Sequence, residues 1–361
     1  MQWQRAILIV LVAGLVFTGC DDFPIVDLPV TNLTIGLVTG LGGVTEACDC
    51  PPENLGGLDR LVGLVQKRNQ QNEFGLVFVG DTFYELDDPP GDKVEKEHEK
   101  ALAIASVLGE LGPLAVLPGE RDVEVGAERL QSFLELFRLP IFSGLRGPAK
   151  MRFTADSALR TIGGHKIGFL GIAGAQAIGQ ANAYTQGALA LRRQGAEIVL
   201  ALVGLTGAEG EALAAQIDGA DIIVIGGKEE IRAPRVIAGS LVVEAGNRGQ
   251  RLGSLNFHMK GDGAFRYYDE GRSQKDLLTK NIGLLSEALE TLKPGPARDA
   301  SIVKLDELKA QLSTLKSQPP TGRYVTWDVE EITSDKRPLP WATKLLTSHS
   351  SSCSCPAPAA Q

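Results

Sequence analysis

An acidic residue directly after a buried strand is the first candidate for chemistry in this sequence. The run Leu76 to Phe83, LVFVGDTF, places four apolar residues before Gly80 and the carboxylate of Asp81. A continuous apolar run predicts a strand covered on both faces, as in a sheet flanked by helices. Functional side chains collect at the carboxyl ends of such strands, which makes Asp81 a candidate functional acid. A role as a cap of the next turn explains the same residue equally well.

Cysteines supply a second possible chemistry. Of the five in the chain, Cys48 and Cys50 form one Cys-x-Cys pair, and Cys353 and Cys355 form another. A disulfide within such a pair is strained, so a bond between the pairs, or a shared soft metal ion such as Zn or Cu, is geometrically easier. A purely structural staple between a loop and the C-terminal tail explains the four cysteines equally well.

The first twenty residues predict export. Gln4 and Arg5 precede the apolar run Ala6 to Phe17, which is too short to span a bilayer and fits the apolar region of a secretory signal. The ending Thr-Gly-Cys at Cys20 resembles the lipobox of bacterial lipoproteins, in which the cysteine is diacylated and becomes the mature N-terminus. We therefore expect an exported protein, anchored to a membrane of the cell envelope through a lipid at Cys20. An ordinary signal peptide or a short anchor is the alternative.

Composition limits the classes of partner. The formal net charge is -8, and no long cluster of Lys and Arg is present. Nucleic-acid binding depends on neutralising phosphates with such clusters, so nucleic acid is not an expected partner. With 361 residues, 43% of them hydrophobic, the chain can bury a substantial core.

The order of patterns predicts an α/β protein with several parts. Residues 21–31 suit a tether, and strands alternate with helices over 32–270, which predicts a layered fold. Residues 271–333 predict a helical hairpin, broken at Pro294-Gly295-Pro296, and a last strand. Residues 334–361 predict a flexible, cysteine-containing tail. In the helix expected after Lys93, the alternating charges indicate a solvated face, with His98 exposed.

From about Leu33 to Phe257 the order of these pieces resembles the catalytic domain of the calcineurin-like metallophosphoesterases, specifically bacterial 5'-nucleotidases and UDP-sugar hydrolases. The resemblance implies a sandwich of two sheets flanked by helices. It is carried by short motifs in chain order: Gly-Gly-Leu-Asp-Arg-Leu at 56–61, Val-Gly-Asp at 79–81, Gly-Glu-Arg-Asp-Val-Glu-Val-Gly at 119–126, Leu-Val-Gly-Leu at 202–205, the stretch 221–230, and LVVEAGNRGQRLG at 241–253.

Departures from the family's pattern decide what the resemblance implies for function. The family holds two divalent ions with an Asp-x-His, a bridging Asp, an Asn and later histidines, and these metals activate water. Asp81 is retained in this chain. Glycine offers no side-chain ligand, and nearby Arg or Lys charges oppose metal binding, so we expect no dinuclear centre and no active phosphohydrolase. The other aligned positions are Gly40, Gly42, Glu120, Arg121, Gly204, Lys228 and Glu230.

Three interpretations of this pocket remain, and they leave open whether the chain is an enzyme. In the first, ion pairs of Asp81, Glu120 and Glu230 with Arg121 and Lys228 replace the metals and brace a site for an unassigned small molecule. In the second, the three carboxylates hold one divalent cation, Mg or Ca, and support a residual phosphoesterase or nucleotidase-type reaction. In the third, the cysteine pairs perform redox or soft-metal chemistry, which a resemblance to secreted UDP-sugar-hydrolase-like (seleno)proteins also implies.

Overall fold

A computed structural model describes residues 31–48, 54–70, 73–85, 91–142, 157–205, 207–226, 232–269, 272–315 and 319–347. Within these ranges the chain forms fourteen strands and eight α-helices. The strands are β1 Asn32–Thr39, β2 Ala47–Cys48, β3 Leu55–Gly56, β4 Phe74–Gly80, β5 Ala115–Pro118, β6 Ser157–Ile162, β7 His165–Ile172, β8 Ile198–Val203, β9 Ile222–Ile225, β10 Arg235–Ile237, β11 Ser240–Val243, β12 Arg251–His258, β13 Arg266–Tyr267 and β14 Tyr324–Glu331.

The helices lie between these strands and after them. They are α1 Leu58–Asn69, α2 Gly91–Leu111, α3 Glu120–Phe137, α4 Ala181–Arg193, α5 Gly207–Ala214, α6 Arg272–Thr291, α7 Pro296–Thr314 and α8 Pro340–Thr347. No helix within the described ranges combines the length and apolarity needed to cross a bilayer.

Two mixed sheets of six strands form the body of the protein. The first has the order β13-β14-β12-β1-β4-β5, and the second the order β10-β11-β9-β8-β7-β6. Strands β1, β4 and β5 are parallel along one side of the first sheet, and β11, β9, β8 and β7 are parallel in the middle of the second. All six residues of β8 are buried, as expected for a strand covered on both faces.

Three hydrophobic cores stack the chain into helix, sheet, sheet and helix layers. One core fills the space between the sheets, where Val77 of β4 joins Leu200 of β8. A second lies between the first sheet and helices α1, α2, α3 and α8, and contains the neighbouring Phe78. A third lies between the second sheet and helices α4 and α5. The alternation of Val77 and Phe78 across β4 follows from the two-residue period of a strand. The predicted two-sheet α/β sandwich is confirmed.

The last strand and the C-terminal region differ from expectation. Strand β14 is hydrogen-bonded between β13 and β12, so it belongs to the first sheet instead of forming a unit with the helical hairpin α6–α7. Helix α8 lies inside the segment expected to be a flexible tail. Its Ala342 and Leu346 are buried in the same core as Leu61 of α1, and this burial offsets the entropy of ordering the segment.

The charged first half of α2 is also less exposed than expected. Glu97, His98 and Lys100 are all buried, although their alternating charges predict a solvated face. The prediction was wrong because these side chains find partners in the loop after β4, and paired charges can be buried.

Candidate functional site

A cavity of about 480 Å³ lies beyond the carboxyl ends of strands from both sheets. This is the edge at which ligands bind in open α/β sheets. The lining residues come from the loops after β1, β4, β8 and β9, from the N-terminal parts of α3 and α5, and from the turn before β12: Gly40, Gly42, Asp81, Glu85, Glu120, Arg121, Glu124, Gly204, Leu205, Glu209, Gly226, Asn247 and Arg248.

Glycines let the two sheets approach each other at the base of this cavity. Gly80 has φ 89°, and a Cβ there would lie 2.8 Å from the carbonyl oxygen of Gly226. A Cβ on Gly226 would lie 2.4 Å from main-chain atoms of Val79. Side chains do not tolerate such contacts, so both glycines are required where β4 and β9 end. This close approach sets the position of Asp81.

Asp81 caps the helix that follows the next strand. Its Oδ1 accepts a hydrogen bond from the main-chain N–H of Arg121 at 2.9 Å, in the first turn of α3. Gly119, which precedes α3, makes no side-chain cap of its own, and a Cβ there would lie 2.1 Å from Asp81 Oδ1. The carboxylate at the end of β4 therefore accepts a hydrogen bond from an N–H group that has no partner within α3, the helix that follows the neighbouring β5. The dipole of α3 also favours a negative charge at this end. This cap serves α3, whereas the sequence predicts a cap of the turn directly after Asp81.

Asp122 holds the loop that carries Asp81. Its side chain is fully buried and accepts hydrogen bonds from the main-chain N–H groups of Thr82, Phe83 and Tyr84 at 2.7, 2.9 and 3.2 Å. Burial, and then the negative charge of Asp81, raise the pKa of Asp122 to about 7 against these donors. The sequence by itself does not predict this role of Asp122. The run Gly-Glu-Arg-Asp at 119–122 indicates pocket positions at Glu120 and Arg121, and no spacing rule links Asp122 to a loop forty residues earlier.

Arg121 and Glu120 lie at the start of α3, where their side chains line the cavity. The guanidinium of Arg121 donates to the carbonyl oxygen of Tyr84 at 3.2 Å, so it crosses the loop after β4. Glu120 is exposed at the rim, together with Glu124 and Glu209. The described lining therefore contains more carboxylates than guanidinium groups.

A buried lysine ties α2 to the rim of the cavity. Lys100 Nζ lies 2.8 Å from Glu85 and 3.1 Å from Glu97, and its side chain is 4% exposed. Glu85 also lies 3.4 Å from Arg248, in the turn before β12. Burial acts to raise the pKa of Glu85, but the hydrogen bond from Lys100 and the charges of Lys100 and Arg248 outweigh it and hold this pKa below its ordinary value. Glu97 and Lys100, which the sequence predicts to face solvent, thus hold Glu85 in place at the rim of the cavity.

His98 of α2 also contacts the loop after β4. Its Nδ1 lies 3.0 Å from the hydroxyl of Tyr84, and the two rings meet edge to face with centroids 5.5 Å apart. Burial and then the charge of Arg129 hold the pKa of His98 below its ordinary value. The ring therefore stays neutral near pH 7 and serves the loop after β4 as a hydrogen-bond partner.

The positions singled out in the sequence fall into two groups. Gly40, Gly42, Gly204, Asp81, Glu120 and Arg121 line one cavity. The main chain of Cys48 lies in β2, opposite Leu55 of β3. Lys228, Glu230, Cys20, Cys50, Cys353 and Cys355 lie outside the described residues. Among the residues that the structure describes, no three His, Cys, Asp or Glu side chains form a group that could hold a metal ion.

Solved structures with the same architecture identify the fold. A 5'-nucleotidase precursor from Thermus thermophilus superimposes with a TM-score of 0.54 at 18% identity, over 63% of this chain and 52% of that one. The calcineurin-like phosphoesterase YfkN from Bacillus subtilis gives 0.52 at 18% identity, over 65% and 87%. The chain has the calcineurin-like phosphoesterase fold. The NAD nucleotidase NadN from Haemophilus influenzae shares this fold, with a TM-score of 0.52 at 15% identity, over 79% of this chain and 61% of that one.

The comparisons also mark the limits of the likeness. No protein-family model and no curated protein matches the sequence. The chain spans about half the length of the Thermus 5'-nucleotidase precursor, with 52% of that chain covered. The expected resemblance to the calcineurin-like fold is confirmed, and at these identities it concerns the fold alone.

Proposed function

We propose that this chain is an exported, lipid-anchored protein that uses the cavity of a calcineurin-like fold to bind a small molecule, without hydrolysing phosphoesters. The observation that carries the proposal is the presence of Gly40, Gly42 and Gly204 in the lining of the cavity. These positions offer no side-chain donor at the edge where the fold's metal ligands are expected.

The remaining residues of the cavity do not fit a pair of metal ions. Oδ1 of Asp81 is already bonded to the N–H of Arg121, which competes with a metal for that oxygen. The guanidinium of Arg121 also lines the cavity, and its permanent charge repels divalent cations at short range. Phosphoryl transfer in this fold depends on metals to activate water and neutralise oxygens, so we expect this chain not to catalyse it.

Metal content, stability and turnover test this proposal together. We expect the purified full-length protein to contain no transition metal, to keep its melting temperature when EDTA is added, and to leave nucleotides and phosphodiesters intact. A stoichiometric pair of metal ions, together with rapid nucleotide hydrolysis, would overturn the proposal.

The single-ion alternative predicts a different result in the same experiment. If Asp81, Glu120 and Glu230 hold one Mg or Ca ion, adding that ion raises the melting temperature by mass action. Glu120→Gln should then remove the increase, whereas Glu135→Gln on the exposed far part of α3 should preserve it. An increase that survives Glu120→Gln would count against this ion site.

A thiol function is a second candidate, because the docking of α8 favours it. Thr343 donates to Oδ2 of Asp59 in the first turn of α1 at 3.0 Å. Strand β3, directly before α1, pairs Leu55 with Cys48. Cys353 follows the end of α8 at Thr347 by six residues, a stretch that extends to about 20 Å at most. We therefore propose that a stretch of this length allows Cys353 to reach the loop of Cys48 and Cys50.

Thiol counting separates the forms of this second candidate. Four protected sulfurs together with bound Zn or Cu indicate a soft-metal site, and four oxidised sulfurs without metal indicate a staple between loop and tail. Four freely reactive thiols in the native, air-exposed protein would exclude both.

A further inference from the structure

Three aromatic rings form a surface patch on the first sheet, far from the cavity. The rings of His258 and Tyr324 stack with centroids 4.0 Å apart at 19°, and Tyr268 meets Tyr324 edge to face at 5.6 Å. All three residues are half-buried. We call His258, Tyr268 and Tyr324 the aromatic patch. Rings of this kind have an apolar body and a polar tip, which suits the boundary between lipid and water.

The topology places the aromatic patch where the body of the protein begins. His258 is the register partner of Asn32, the first residue of β1, and also of Tyr324. Strand β1 then runs away from the patch and ends at Thr39, one residue before Gly40 of the cavity. Its eight residues span about 26 Å, so the patch and the cavity lie at opposite ends of the sheet.

The length of chain before β1 keeps the aromatic patch close to the proposed anchor. Cys20 precedes Asn32 by twelve residues. A chain of twelve residues spans at most about 40 Å. The chain enters β1 at the patch, and the cavity lies about 26 Å further along that strand, so an anchored molecule brings the patch nearer to the membrane than the cavity.

Charges around the aromatic patch are mixed. Lys260 and Arg266 are exposed beside it, and exposed Asp262 offsets part of their charge. Such a surface attracts anionic headgroups weakly. The patch should therefore contact a bilayer once the chain is tethered, and should not recruit an untethered chain.

We propose that the aromatic patch lies against the membrane surface, with its rings among the lipid headgroups and the cavity facing away from the bilayer. This inference rests on the proposed lipid anchor at Cys20, and it adds an orientation and a lipid-contact surface. A ligand would then reach the cavity from the aqueous side.

Fluorescence quenching by brominated lipids tests the orientation. The lipidated full-length protein is reconstituted into vesicles that contain phosphatidylglycerol and dibrominated phosphatidylcholine, with a tryptophan introduced by Tyr268→Trp. The matched control is Glu209→Trp, at the exposed rim of the cavity. The signal of the lipidated protein without either substitution, which begins at Cys20 and contains Trp327 and Trp341, is subtracted from both. We expect several-fold stronger quenching for Tyr268→Trp than for Glu209→Trp.

Each outcome has a separate meaning. Equal quenching of the two variants, or stronger quenching for Glu209→Trp, overturns the orientation while vesicle flotation still supports the anchor. Failure of the protein to float with vesicles overturns the anchor and, with it, this inference. Concentration-dependent self-association that Tyr268→Ser abolishes would assign the patch to a second copy of the chain, and would also overturn it.

Discussion

The carboxylate of Asp81, at the end of β4, accepts the main-chain N–H of Arg121, in the first turn of α3, at 2.9 Å. The bond joins the ends of two neighbouring parallel strands, because α3 follows β5 directly. Asp81 thereby shapes the base of the cavity and caps the N-terminus of α3. Its chemistry in this chain is explained by the orphan donors at a helix N-terminus.

Replacing Asp81 should reveal this capping role. We expect Asp81→Ala to lower the free energy of unfolding by about 1–2 kcal/mol, because α3 loses its acceptor and a favourable charge. Asp81→Asn keeps an acceptor oxygen and should cost about half as much. Denaturant unfolding of both variants measures the difference. An unchanged midpoint for Asp81→Ala would show that the helix finds another cap.

Replacing Asp122 should lower the stability more than replacing Asp81 by Asn, and the size of the effect should depend on pH. Asp122→Asn retains an acceptor for Phe83 and Tyr84 but turns a donor toward the N–H of Thr82, which we expect to cost about 1–3 kcal/mol. The pKa of Asp122 is raised to about 7, so the folded state keeps a proton that the unfolded state has released. Its contribution to stability is therefore greatest below the unfolded value near pH 4, and declines as pH rises toward 7.

The variant lacks this titration, so the stability difference between wild type and Asp122→Asn should narrow between about pH 4 and 7. Unfolding curves recorded at several pH values across this window check the sign. A difference that widens with pH would mean that the three N–H donors keep Asp122 ionised.

Replacing Lys100 should lower the free energy of unfolding strongly. Lys100→Met leaves the buried Glu97 and the half-buried Glu85 without their shared partner, which should cost about 3–5 kcal/mol. Burial acts to lower the pKa of Lys100, but its bonds to Glu85 and Glu97 raise it. Its stabilisation is thus present below the unfolded pKa and is lost as pH rises through the folded one.

Lys96→Met on the exposed surface of the same helix is the matched control, with an expected change within about 0.5 kcal/mol. Thermal unfolding near neutral pH compares the two variants. Equal changes in stability for the two variants would indicate that Lys100 faces solvent, as the charge pattern of α2 predicts.

The docking of α8 can be tested through two adjacent leucines. Leu346 is 3% exposed in the core beneath α1 and α2, whereas Leu345 is 37% exposed. We expect Leu346→Ala to cost about 2–4 kcal/mol and Leu345→Ala less than about 0.5 kcal/mol. The ratio of the two effects, measured by urea unfolding, reports whether the C-terminal helix belongs to the folded body. Two small effects of equal size would restore the picture of a loose tail.

The sequence was most informative where burial alone decides structure. The apolar run around Val77 predicted a strand covered on both faces, because no polar alternation interrupts it. The glycines at 40, 42 and 204 were noted from motif order, and they line one cavity. Apolar residues at helical spacing on both sides of a Pro-Gly-Pro break predicted the hairpin α6–α7.

By itself, the sequence determined the layered α/β architecture and the carboxylate at the end of β4. Only the tertiary structure decided which partners the charges take: Asp81 with a helix N-terminus, Asp122 with three main-chain donors, and Lys100 with the half-buried Glu85 and the buried Glu97. Hydrophobic periodicity is a local property that a window of residues reveals. A hydrogen bond between residues forty positions apart depends on how strands are ordered and how closely glycines let them approach, and no local pattern encodes that.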